Sequence, residues 1–60
     1  MTPMVKVNMD GDVTWATLAE FLADNADDEE VCLSVEALRI GETAVFGGGA
    51  GVLVEVTRVA

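Results

Sequence analysis

The dipeptide Asp10-Gly11 constrains this chain more than any other feature, because of what stands before it. From Met4 to Met9 apolar and polar residues alternate, with Val5, Val7 and Met9 on one side and Met4, Lys6 and Asn8 on the other. That period of two is the signature of a half-buried strand. An Asp-Gly pair at its end suits a type I′ turn, whose two central residues both need positive φ, so the chain must fold straight back on itself. The returning strand is expected over Asp12–Trp15.

A helix is expected next. Thr17-Leu18-Ala19-Glu20 matches a capping box, in which a hydroxyl at the N-cap and a carboxylate three residues on each satisfy the other's backbone amide. Leu18, Phe21 and Leu22 form an apolar stripe, and Asn25, a residue that tolerates the left-handed conformation, is the expected stop. Trp15 extends this stripe if the helix begins at Asp12 or Thr14, and is expected in the core at the helix start. The segment after Asp27-Asp28-Glu29-Glu30 satisfies two periods. Val31, Leu33 and Val35 alternate as in a strand, whereas Val31, Val35 and Leu38 share a helical face. Four acids ahead of the apolar run meet the positive end of a helix dipole, which favours a second helix ending near Gly41. From Glu42 the pattern is β: Thr43–Phe46, a glycine-rich connection over residues 47–51, then Val52, Val54 and Val56 alternating with Leu53, Glu55 and Thr57 as far as Val59. The expected fold is α+β, one domain over residues 1–60: an N-terminal β-hairpin, two short helices and a C-terminal β-hairpin, the helices covering one face of an antiparallel sheet.

Sixty residues bury a smaller share of their surface than a larger domain does, and this chain has a single cysteine and no histidine to supply a disulfide or a familiar zinc site. It is nevertheless 52% hydrophobic, far too apolar for a disordered acidic tail. A core that gains stability from self-association or from a partner fits both facts, and a homodimer is expected. Cys32, inside an apolar segment, reads as a small buried side chain in a reducing compartment. Residues 1–6 lack the apolar region of a signal peptide, and no run approaches the ~20 apolar residues that span a bilayer. A cytoplasmic location is expected.

Three basic residues against eleven acidic ones give a charge of −8, which argues against direct binding to nucleic acid or an anionic membrane. The glycines at 47–51 fit neither phosphate-binding pattern. A P-loop needs Lys and Ser/Thr after the last glycine, where Val52-Leu53 stands, and a dinucleotide loop needs a helix where a strand is expected. A hairpin connection is the simpler reading. Asp10-Gly11-Asp12 is too short for a calcium loop, and the acids after Asn25 lack its spacing. No nucleophile–base pair can be assembled, so no enzyme activity, cofactor or metal is expected.

Two surfaces remain. Glu20, Asp24, Asp27, Asp28, Glu29 and Glu30 place six of the eleven acids within eleven residues, and no basic residue lies between Lys6 and Arg39. The run either solvates a helix junction or docks on a basic groove, as nucleic-acid mimics do. The uncharged stretch Thr43–Val54, with Val45, Phe46, Val52 and Val54, is a candidate for edge-to-edge self-association.

The layout of helix, acid run and glycine hairpin over most of the chain resembles small acidic accessory proteins of bacteriophages and prophages. These include anti-CRISPR and other anti-defence proteins and inhibitors of host enzymes. The closing Glu55-Val56-Thr57-Arg58-Val59 is similar to the end of the small transcription inhibitors of T7-like phages. The resemblance implies a non-catalytic inhibitor in the host cytoplasm that blocks a basic site on a host nucleic-acid enzyme or defence complex. A structural self-assembling protein built on the 43–54 hairpin and an antitoxin-like partner protein are the alternatives.

Overall fold

The computed structural model describes residues 1–47 and 51–60. Strands β1 (Met4–Met9) and β2 (Asp12–Thr17) form the first hairpin, with Met9 opposite Asp12 and Met4 opposite Thr17. Asp10 has φ 52° and Gly11 φ 90°, the pair of positive angles that a type I′ turn requires. The Asn8 side chain accepts from the Gly11 amide at 3.0 Å and braces the turn.

β2 continues two residues beyond the expected Trp15, because Ala16 and Thr17 still pair with Val5 and Met4. Thr17 then serves twice, as the last strand residue and, with φ −70° and ψ 154°, as the N-cap of helix α1 (Leu18–Asp24). The capping box is complete, with the Glu20 amide donating to Thr17 Oγ1 at 3.0 Å and the Thr17 amide to Glu20 Oε1 at 3.1 Å. The helix closes at Asn25 without the left-handed residue expected there. Asn25 has φ −115°, and its backbone amide and its Nδ2 both donate to the Phe21 carbonyl. The side chain thus covers a carbonyl that a left-handed turn would otherwise have reached.

Helix α2 spans Glu29–Glu36 and resolves the double period of that segment in favour of the helix. Asp28 is its N-cap, accepting from the Val31 amide at 3.3 Å, and Glu29 and Glu30 occupy the first turn. Val35 is fully buried and Val31 and Leu38 half-buried, while Leu33, which a strand would have turned inward, stays 60% exposed. The Cys32 thiol lies within hydrogen-bonding reach of the Asn25 and Leu22 carbonyls at 3.1 and 3.7 Å, tying α2 to the end of α1. It is half-buried rather than enclosed. Helix α2 ends at Glu36 with Ala37 as its C-cap, short of the stop expected near Gly41. Gly41 (φ 92°) lies instead in the turn before the next strand, its amide donating to the Arg58 carbonyl at 2.7 Å.

β3 (Thr43–Gly47) and β4 (Leu53–Arg58) form the second hairpin, Thr43 opposite Thr57 and Phe46 opposite Val54. Of the connection expected over 47–51, Gly47 instead closes β3, where it pairs with Leu53, and residues 48–50 lie outside the described residues. The two hairpins join through β1 and β4 into one antiparallel sheet of order β2-β1-β4-β3. The α+β fold read from the sequence is therefore present, with the first and last strands at its centre. Val5 and Val56 of these central strands meet Phe21 of α1 and Val35 of α2, and these four make the buried core.

Residues opposite one another in a ladder share a sheet face. Val5, Val7, Ala16, Phe46, Val54 and Val56 accordingly point toward the helices and pack in or against the core. Trp15 takes the other parity, opposite Lys6, and is 61% exposed on the face away from the helices. That corrects its expected place in the core: extending β2 to Thr17 keeps Trp15 on a strand, where period two overrides the helical stripe.

Candidate binding surfaces

All six carboxylates from Glu20 to Glu30 are exposed, and all lie on α1, the 25–28 turn or the first turn of α2. Some of this charge has a local cause. Glu20 completes the capping box, and the hydrogen bonds from the Thr17 amide and hydroxyl hold its carboxyl below the usual value. Asp28 caps α2, and Glu29 and Glu30 face the positive end of its dipole. Asp24, at the C-terminal end of α1, is on the unfavourable side of that helix's dipole, and Asp27 stands in the turn with no capping task.

The turn overhangs a groove of about 400 Å³ between the helices and the far end of the sheet. Val7, Met9 and Val54 form its sheet wall, Phe21 and Val31 its helix wall, and Asp24, Asn25 and Asp28 its polar rim. The groove exists because α1 and α2 have seven and eight residues, too short to cover six-residue strands along their whole length. Carboxylates over an apolar floor can take a cationic head and an apolar stem together.

None of the three basic residues lines this groove, and Arg39 follows α2 as an exposed residue. Lys6 is on the opposite sheet face, and Arg58 donates to the Leu38 and Ala60 carbonyls. Among the described residues no cluster of three or more His, Cys, Asp or Glu could hold a metal ion, and no helix is long and apolar enough to cross a membrane.

The apolar set proposed for self-association does not form one surface. Phe46 and Val54 pair on the helix side and pack against the core, and Val52 is half-buried ahead of β4. Val45 alone points the other way, 57% exposed, from the edge strand β3. Sequence reasoning missed two features, the apolar groove and the exposed sheet face bearing Trp15. The alternation of Val13 and Trp15 with Thr14 and Ala16 was the available signal for the second. Compared with known proteins, the chain matches no family model, no curated protein and no solved structure.

Proposed function

We propose that this is a non-catalytic binding protein that docks its α1–α2 side on a basic site of a protein partner, in the manner of a phage-type inhibitor of a host nucleic-acid enzyme or defence complex. The observation that carries this reading is the exposed carboxylate cluster on the helix side, two of whose members, Asp24 and Asp28, stand on the rim of an apolar groove. Charge of one sign over such a patch speeds and orients approach to a basic surface, while the groove gives the complex a desolvated contact that salt does not screen. A partner site evolved for a phosphate backbone offers both arginine or lysine heads and the stems that carry them.

The test compares wild type with an Asp24→Asn, Asp27→Asn, Glu29→Gln, Glu30→Gln variant, which leaves both helix caps intact. Each is immobilised, exposed to bacterial lysate at 50 and 300 mM NaCl, and the retained proteins are identified. The expected result is a nucleic-acid-binding protein held by wild type at low salt, released at high salt, and at least tenfold depleted on the variant. Equal retention by both forms, or retention indifferent to salt, removes the acidic surface from the function.

A further inference from the structure

We propose that the sheet face turned away from the helices is the interface of a two-fold homodimer, formed by stacking two copies of this sheet. Cross-strand register assembles that face in two rows. Trp15, Lys6, Thr57 and Thr43 lie side by side across the four strands, as do Val13, Asn8, Glu55 and Val45, with Leu53 beyond them opposite Gly47. The Thr43 and Thr57 hydroxyls bond at 2.8 Å across this face. Trp15, Leu53, Val45 and Val13 are respectively 61, 60, 57 and 46% exposed, so four large apolar side chains share one uncovered layer. The molecule is only 16 Å thick along its shortest axis, the depth of a sheet and one helix layer, and no helix among the described residues covers them.

Charge identifies the occupant as a second copy. A chain of charge −8 repels itself over most approaches, and the run from Glu20 to Glu30 makes the helix side the worst of them. The open sheet face carries one cation and one anion, Lys6 and Glu55, and no other charged strand residue. They stand diagonally on β1 and β4, the two central strands. A two-fold axis lying in the interface and passing between them sets Lys6 of each copy over Glu55 of the other, which is the self-complementarity an isologous contact requires. Four strands about 4.8 Å apart and ~20 Å long offer roughly 400 Å² of face per copy before the relief of Trp15 is added. The total of about 1,000 Å² is at the lower bound for a specific interface, so the association expected is a weak, concentration-dependent one.

This surface is opposite the acidic side and does not rest on the function proposed above. Because the chain has one tryptophan and no tyrosine, its fluorescence reports Trp15 alone. Sedimentation equilibrium and tryptophan emission are measured together from about 1 µM to 1 mM, a range suited to a weak, concentration-dependent association. The expected result is a doubling of mass with a blue shift of emission at the same midpoint. A single-chain mass throughout, or a doubled mass with unchanged emission, overturns the proposal. Lys6→Glu is expected to weaken the dimer at least tenfold, and the exchange Lys6→Glu with Glu55→Lys to restore it. Circular dichroism verifies that the variants are folded. A folded Lys6→Glu variant that dimerises like wild type, or an exchange that fails to restore it, rejects this interface.

Discussion

The Glu20 carboxylate accepts from the Thr17 amide at 3.1 Å and from its hydroxyl at 2.9 Å, and these bonds hold its pKa below the ordinary 4.5. A carboxyl whose pKa is depressed in the folded state adds stability above its unfolded pKa and loses it as pH falls through the folded value. The contribution should therefore be complete above about pH 5 and vanish in the acid range below 4.5. Glu20→Gln keeps a side chain that suits the capping box but removes the charge. The difference in urea midpoint between wild type and Glu20→Gln should be constant from pH 7 to 5 and shrink on further acidification. A difference that grows toward low pH would contradict this assignment. At Val35, which is fully buried between α2 and the sheet, truncation to Ala removes two methyl groups and leaves a void. A loss of about 2 kcal/mol is expected, measured by urea unfolding, and in so small a core that is a large fraction of the total.

Among the elements, the first hairpin owes its sharp turn to backbone angles that few residues adopt. A Cβ at Gly11 meets no neighbouring atom, so the cost of Gly11→Ala comes from φ 90° and not from crowding. About 1 kcal/mol of destabilisation is expected, with unchanged strand content by circular dichroism. Sequence periodicity identified this hairpin, the capping box and β4 because each pattern is local: two positive-φ residues, a Thr-x-x-Glu spacing, an alternation of valines. It also identified α2, though only through the acids ahead of it. It placed Trp15 wrongly because the boundary between β2 and α1 is decided by how far Ala16 and Thr17 go on pairing with Val5 and Met4. That is a contact with another strand, and a helical stripe can be drawn through the same residues without it.

For the whole molecule, the sheet order makes an expectation about dynamics. β1 and β4 are flanked on both sides, whereas β2 and β3 each have a free edge. Amide hydrogen exchange should be slowest at Val5, Val7 and Val56 and faster along the outer edges of β2 and β3. Uniform protection across the four strands would mean that the edges are covered in solution. The net charge of −8 should also oppose compaction, so the thermal midpoint is expected to rise between 10 mM and 0.5 M NaCl. A fall over that range would show that attractive charge pairs dominate.

The sequence alone determined the elements, their order and the concentration of acid between Glu20 and Glu30, since these follow from spacing along the chain. Tertiary structure decided how the two hairpins join, which sheet face the helices cover, and hence which valines are core and which surface. Val45 and Phe46 are neighbours in sequence with similar hydropathy, yet Phe46 packs against Val54 and the core while Val45 faces outward beside Glu55. Strand alternation separates two such residues onto opposite faces, but it does not say which face is inside. Only the docking of α1 and α2, through Phe21 and Val35 onto Val5 and Val56, makes that choice. The same docking leaves the groove beneath Asp24 and Asp28 and the bare face around Trp15, because two helices this short can cover only part of one side of a four-stranded sheet.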